Sequence, residues 1–238
     1  MPIIMNISVV IPAFNEEKRI GKTLNEVIEY LKKKKFRYEV IVIDDGSYDS
    51  TASVVSCFLD KNVRLIKNRR NRGKGYTFKR GVLKSRYEYI LFTDADLSTP
   101  IEELERFLLY IHDFDVVIGS RRFEKSKVLR PPTLFRKLAS RTFNILVKMT
   151  VMDGFDDTQC GFKLFKRDSI RKIAKLQRIN RFCFDVEIIF IATVNSYPVK
   201  QLPVTWSAKR GGHFVNIIRM FFDLLIIKFN YISGKYKI

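Results

Sequence analysis

Short apolar runs that scarcely alternate, each followed by a longer amphipathic stretch, set the rhythm of the first 120 residues. "ISVVI" (7–11) predicts a buried strand, residues 16–35 a helix closing on four lysines, and "EVIVID" (39–44) a second strand. Residues 50–59 predict a short helix and "VRLIK" (63–67) a third strand; residues 73–85 read as a loop entering a helix. "YILFTD" (89–94) is a strand, 101–111 a helix and "FDVVIGS" (114–120) a strand. Strands alternating with helices imply βαβ units and a mostly parallel sheet. Unbroken β-branched runs suit strands covered on both faces.

The pattern changes after residue 120. "SRRFEKSKVLRPP" (120–132) reads as a basic loop and 134–151 as an apolar-basic helix. "CGFKLFKR" (160–167) predicts a short strand, 183–195 a helix and "VKQLPVTW" (199–206) a final strand. "FVNIIRMFFDLLIIKFNYI" (214–232) predicts a helix on which Asn216, Arg219, Asp223 and Asn230 form a narrow polar stripe; all else but Lys228 is bulky and apolar. Such a helix packs under a domain or lies in a membrane interface. The reading is one domain over 1–212, with halves 1–120 and 121–212, and an appended helix over 213–238.

Composition narrows the partners. A chain of 238 residues that is 46% hydrophobic is long enough for one ordinary core. Its net charge of +19 calls for an anionic partner: nucleic acid, an anionic membrane surface or a phosphorylated substrate. Cys57, Cys160 and Cys183 lie far apart with no CxxC pair, which argues against zinc or a disulfide scaffold and fits a reducing compartment. No apolar stretch reaches transmembrane length, and the run at 7–11 is too short for a signal peptide. Nucleic acid is disfavoured: no recognisable module is present, and acidic clusters would repel a polyanion.

Those acidic clusters fall where function concentrates in a parallel sheet, at the carboxyl ends of strands. "PAFNEE" (12–17), "DDGS" (44–47) and "DAD" (94–96) would converge on one crevice. Asp94 and Asp96 share one side of an extended segment. They read either as caps of the turn into the next helix, or as carboxylates for a hard cation such as Mg²⁺, which takes one or two of them plus substrate phosphates. Of Asp44 and Asp45, one can accept hydrogen bonds from a base or ribose while the other caps the turn. Glu16 is either a charge favourable at a helix N-terminus or a ribose ligand. "RRNRGKGYTFKRG" (69–81) is a phosphate cradle or a solvated basic loop; it lacks the P-loop spacing. Arg121, Arg122, Arg130, Arg136 and Arg141 surround one loop and helix start, and Arg136 and Ser140 share a helix face; the cluster reads as a phosphate site or as a solvated basic face.

As a set, "VVIPAFNEE", "VIDDGSYDST", "NRGKGYTFKRG" and "LFTDADLSTP" resemble glycosyltransferase family 2, inverting nucleotide-sugar enzymes with a GT-A fold. "VVIGSRR", "DTQCGFKLFKR", "FDVEIIFIA", "PVKQLPVTW" and "DLLIIKFNYISGKYK" narrow the resemblance to the dolichyl-phosphate β-glucosyltransferases. The fold implied is α/β: a GT-A-like, Rossmann-like, mostly parallel sheet flanked by helices, with C-terminal amphipathic membrane-associating helices. The activity implied is transfer of glucose from UDP-glucose to dolichyl or another polyprenyl phosphate with a divalent cation, Mg²⁺ or Mn²⁺. The alternatives are GDP-mannose as donor, or another acceptor.

The resemblance also implies roles. Pro12, Phe14, Glu16 and Asp44 or Asp45 would contact the uridine end of the donor; Ala13, Lys74 and Ala95 would also bind the nucleotide sugar, and His213, or Lys209 in its stead, would lie near the diphosphate. Asp94 and Asp96 would sit at the diphosphate and metal, with Ser98 near the cation. Arg121, Arg136 and Ser140 would hold the acceptor phosphate; Asp157 and Gln159 would lie beside the sugar. Asp94, Asp96, Arg121 and Asp157 would carry the chemistry. Two departures stand out. This chain begins almost at its first strand, where eukaryotic members carry a membrane anchor, so attachment is expected from the helix at 134–151, the C-terminal helix or a partner. "GGH" also stands where the family has "GSK", putting His213 in place of a lysine. Localisation is expected at a membrane with the active site facing the cytoplasm; oligomeric state is left open.

Overall fold

The computed structural model describes residues 5–123, 125–131, 133–209 and 217–237. The first apolar runs form parallel strands: β1 (Asn6–Ala13), β2 (Arg37–Asp44), β3 (Val63–Lys67) and β4 (Tyr89–Phe92). The helices between them are α1 (Ile20–Lys33), α2 (Thr51–Ser56) and α3 (Lys74–Lys84). A 3-10 turn (Ile101–Glu103) and α4 (Leu104–Leu108) lead to β5 (Val116–Ser120). Then come β6 (Lys127–Arg130), α5 (Leu134–Thr150), β7 (Lys163–Lys166), α6 (Arg167–Leu176), α7 (Phe184–Val194), β8 (Val199–Pro203), β9 (Thr205–Ser207) and α8 (Ile217–Ile232).

The main sheet runs β3-β2-β1-β4-β7-β5-β8, and only β7 is antiparallel to its neighbours. The strand runs do not alternate because both faces are covered. Val10, Ile41 and Ile43 face a core shared with α3, α5, α6, α7 and α8, while Val9, Ile11, Val40 and Val42 face one shared with α1, α2 and α4. β1 lies between β2 and β4, so the chain leaves its two sides in opposite directions and opens a crevice beyond its carboxyl end.

Four features differ from the sequence expectations. The stretch 120–132 is not all loop: β6 pairs in parallel with β9 as a separate two-stranded sheet. The strand expected at 199–206 is therefore two strands in two sheets, because Val204 interrupts it and its N–H turns to the Ser120 carbonyl. α6 was not anticipated; its arginines and lysines alternate with buried Ile170, Ile173 and Ala174. Asn230 belongs to no exposed polar stripe. With Met220, Leu224 and Ile227 it lies on the buried side of α8, while Ile218, Phe222, Phe229 and Ile232 are exposed.

One buried ion pair crosses the fold. Lys163 of β7 is fully buried, and its Nζ reaches Asp185 Oδ1 of α7 at 2.5 Å and donates to the Cys160 carbonyl. Burial pushes the Asp185 carboxyl pKa up, against the pull of Lys163 and Lys74. Removing one member of such a pair leaves an uncompensated buried charge, which costs about 3–5 kcal/mol, whereas replacing both by apolar groups is often neutral. Lys163→Met should therefore lose stability of that order in urea unfolding. Lys163→Met combined with Asp185→Leu should recover most of it.

Candidate active site

The acidic strand ends do converge. Pro12, Ala13, Phe14, Glu16, Asp45, Lys74, Asp94, Ala95 and Asp96 all line a single cavity of about 390 Å³ at the carboxyl end of β1, β2 and β4. Each loop is pinned by another. Asn15, at φ +55°, donates its N–H to Ser47 Oγ at 2.9 Å, and its Oδ1 accepts the Tyr48 N–H at 3.1 Å. The Glu16 N–H donates to Thr51 Oγ1 at 2.7 Å. Thr23 Oγ1 of α1 donates to the Ala95 carbonyl at 2.7 Å, fixing the tip of the "DAD" turn.

The two aspartates after β2 divide the work. Asp44 accepts the Ser47 N–H at 3.0 Å and caps the turn; it does not line the cavity. Asp45 does, and its carboxylate accepts Asn68 Nδ2 at 2.6 Å, the Arg72 N–H at 2.9 Å and the Gly73 N–H at 2.7 Å. Asp45 thereby folds the basic loop over the cavity. A β-carbon on Gly73 (φ +103°) would collide with the Asn180 carbonyl, so the close approach of the 179–182 segment requires glycine there.

Asp94 is held from two sides. Lys74 Nζ lies 2.6 Å from Asp94 Oδ1, and a β-carbon on Gly161 would overlap the same carboxylate. Burial drags the Lys74 ammonium pKa down, but Asp94, Asp185 and Asp96 more than reverse this and hold it above the usual lysine value. Asp96 Oδ1 accepts the Ser98 N–H at 2.9 Å. Burial pushes the Glu16 carboxyl up; Asp96 and Asp94 add to the rise, and Arg19, 2.7 Å away, opposes it. Among the described residues no three His, Cys, Asp or Glu side chains cluster as a complete metal cage. The donor set is two aspartates on one turn, the hard-oxygen, incomplete kind that suits Mg²⁺ or Mn²⁺ completed by phosphate oxygens.

A second group lies beyond the cavity. Asp157 forms a two-pronged pair with Arg121, Nε to Oδ2 at 2.6 Å and Nη2 to Oδ1 at 2.8 Å, and accepts the Arg121 N–H at 3.0 Å. Burial alone would raise the Asp157 pKa; the guanidinium overcomes it and holds the carboxyl below its ordinary value. Ser140 is contacted by Arg122, not Arg121: Arg122 Nη2 donates to the Ser140 carbonyl and Oγ at 2.7 Å each. The Gln159 N–H donates to Asp157 Oδ1 at 3.2 Å. Ser98, Gln159 and Lys209 do not line the cavity. The Arg136 side chain and His213 lie outside the described residues.

The family model for glycosyl transferase family 2 matches residues 8–174. The chain belongs to glycosyltransferase family 2. Within it, the chain is 38% identical to the dolichyl-phosphate beta-glucosyltransferase of Dictyostelium discoideum over 98% of its own length and 76% of the relative's. It is 34% identical to the human protein of that name, over 98% and 78%. Among solved structures, glucosyl-3-phosphoglycerate synthase from Mycobacterium tuberculosis with phosphoglyceric acid superimposes at TM-score 0.70 and 16% identity, covering 97% of this chain and 80% of that one. The same synthase with Mn²⁺ and uridine-diphosphate-glucose gives 0.66 at 18% identity, covering 97% and 79%. The GT-A architecture of this family 2 chain agrees with these neighbours.

Several cavity residues escape a sequence reading: Arg19, Asn71, Gly73, Thr77, Arg181 and Phe182. Asn71 and Gly73 fall inside the basic loop and were within reach. Arg181 and Phe182 carry no local signal, since only tertiary packing brings them to the strand ends.

The Arg121–Asp157 pair carries a pH signature. A carboxyl held below its ordinary value stabilises the fold above that value, near ~3.9 for Asp, and the contribution disappears as pH falls through the folded value. Asp157→Asn should cost about 3 kcal/mol at neutral pH, by stranding a mostly buried guanidinium. In denaturant titrations the gap between wild type and variant should close progressively below about pH 4.

Proposed function

We propose that the chain transfers glucose from UDP-glucose to a polyprenyl phosphate such as dolichyl phosphate, giving a β-linked lipid-phosphate sugar and UDP. The observation that carries this is the single cavity in which Glu16, Asp94 and Asp96 meet Lys74 and Arg181. Identity above 30% to enzymes named dolichyl-phosphate beta-glucosyltransferase supports the sugar and acceptor. The uridine-diphosphate-glucose and Mn²⁺ in a structural neighbour support the donor and a divalent cation.

On this reading Pro12, Ala13, Phe14 and Glu16 take the uridine end, while Lys74 and Arg181 face the diphosphate. Asp94 and Asp96 would hold Mg²⁺ or Mn²⁺, which when bound neutralises charge on the departing diphosphate. Arg122 and Ser140, with Arg121 braced by Asp157 beside them, form the acceptor side. The acceptor phosphate is already anionic near neutral pH, its second ionisation lying near ~6, so no dedicated base is needed to make a nucleophile. The protein's task is to hold two anions together in line, by orientation and electrostatics. Displacement at the anomeric carbon from the opposite face inverts it, from α-linked donor to β-linked product.

A lipid acceptor requires a membrane face. α5 exposes Leu134, Leu138, Ile145 and Met149, and α8 exposes Ile218, Phe222, Phe229 and Ile232. No helix among the described residues is long and apolar enough to cross a membrane. We therefore place the chain in the interface, with 217–232 as a docking helix packed on the transferase core, and its active site facing the cytoplasm. Its free cysteines are in keeping with that compartment.

Incubation with a panel of UDP- and GDP-sugars, phosphorylated polyprenol and Mn²⁺ should give radiolabelled lipid from UDP-glucose alone. Label from GDP-mannose instead would overturn the donor assignment. EDTA should abolish the product, and Asp96→Ala should lower kcat by about 10²–10³-fold; full activity in either case would refute the metal role.

Removing exposed aromatics tests the membrane face. Phe222→Ser with Phe229→Ser should weaken binding to anionic vesicles in a flotation assay, with the unfolding midpoint nearly unchanged, since neither ring is buried. Unchanged flotation would refute the interfacial placement of α8.

A further inference from the structure

Arg181 and Phe182 enter the cavity from the segment joining α6 to α7, which is gripped on its cavity side by the start of α3. Gln177 Nε2 donates to the carbonyls of Gly75 and Ile179 at 2.8 Å each, and the Asn180 carbonyl accepts the Tyr76 N–H at 3.0 Å. β-Carbons on Gly73 or Gly75 would strike Asn180 and Ile179, so Lys74 sits between two glycines that let this wall close on it.

A single carboxylate holds the wall from behind. Glu187 of α7 is fully buried; Oε1 accepts the Arg178 N–H at 2.9 Å and Oε2 the Ile179 N–H at 2.8 Å. A third donor arrives from the far end of the chain: Tyr236 Oη donates to Glu187 Oε1 at 2.5 Å. Tyr236 is only 1% exposed and lies beyond α8. Its own carbonyl accepts Asn195 Nδ2 at 2.7 Å, and its ring meets Phe190 edge-on at 6.3 Å. A buried carboxylate needs every donor it has, and a hydrogen bond to a charged group is among the stronger kinds.

We propose that Tyr236 and Glu187 are positioning residues for the donor pocket: the segment after α8 clamps, through the Glu187 carboxylate, the wall that carries Arg181 and Phe182. The inference rests on the donor reading above. The C-terminal segment is then more than a support for the docking helix, because its Tyr236 braces the loop that faces the nucleotide diphosphate. Neither residue lines the cavity.

Tyr236→Phe, made in the full chain, keeps the ring and removes only the hydroxyl. Amide hydrogen exchange should accelerate at Arg178 and Ile179 and stay unchanged along β1. UDP affinity in the presence of Mn²⁺, by calorimetry, should fall ~5–10-fold, the range expected for one lost bond to a carboxylate partly compensated by its two remaining donors. The KM for UDP-glucose should rise in step while the KM for polyprenyl phosphate stays put. Ile227→Val, a buried change on α8 that removes no hydrogen bond to Glu187, controls for general loss of stability and should leave exchange at 178–179 and UDP affinity alone. Unchanged exchange in Tyr236→Phe, unchanged UDP affinity, or the same losses in Ile227→Val would overturn the proposal. A wild-type chain that takes up no UDP would overturn the donor reading instead, and the exchange data would still decide whether Tyr236 holds the wall.

Discussion

Like charges crowded at one end of a sheet are the constraint around which this structure is arranged. Glu16, Asp94 and Asp96 line a single cavity, and Asp185 sits beneath it on α7. Carboxylates a few ångströms apart in a partly dehydrated site repel one another strongly. The protein answers with lysines at two depths: Lys74 Nζ at 2.6 Å from Asp94, and buried Lys163 at 2.5 Å from Asp185. Lys74 would lose its proton more readily if burial acted alone; the surrounding carboxylates reverse the sign. The ammonium thus stays charged where the proposed donor's diphosphate would arrive, and it offsets part of the cavity's negative charge before any ligand enters.

Balancing charge requires backbone brought very close to side chains, and that is the work of particular glycines and loop anchors. Gly161 leaves room for the Asp94 carboxylate, while Gly73 and Gly75 leave room for the Ile179 and Asn180 carbonyls. Asp45 spends its carboxylate on three donors from the 68–73 loop and so sets the path that delivers Lys74. The "DDG" stretch is therefore a scaffold for the basic loop as much as a wall of the cavity. A buried carboxylate satisfied by backbone N–H groups rigidifies a loop that has no secondary structure of its own.

What could be read from the sequence, and what could not, follows from the range of the interactions. β1, β2, β4 and the clusters after them were legible because local patterning encodes both the strand and the polar residues that end it. The antiparallel insertion of β7 between β4 and β5 was not, since a four-residue strand says nothing of its neighbours. Nor was the pairing of β6 with β9, which lie far apart in the chain. The same limit applies at the site. Choosing between Arg121 and Arg122 as the partner of Ser140 depends on which guanidinium Asp157 captures. Asn230 looked like surface at helical spacing, yet it faces inward, because the Tyr236 hydroxyl 3.4 Å away gives its amide a buried partner.

The distribution of charge ties the two halves together. A chain of net +19 with an acidic cavity must carry its positive excess elsewhere. Part of it lies on α5, as Lys137, Arg141 and Lys148, beside exposed Leu134, Leu138, Ile145 and Met149. Apolar side chains interleaved with lysine and arginine are what an anionic bilayer surface attracts, at about 1 kcal/mol per basic residue near the headgroups. α5 also carries Ser140, the partner of Arg122. Under the proposed reading, one helix presents its exposed face to the lipid and its Arg122-bound serine to the lipid's phosphate. On that reading the acceptor needs no long excursion from the membrane, because the element proposed to touch the bilayer would also build the acceptor side.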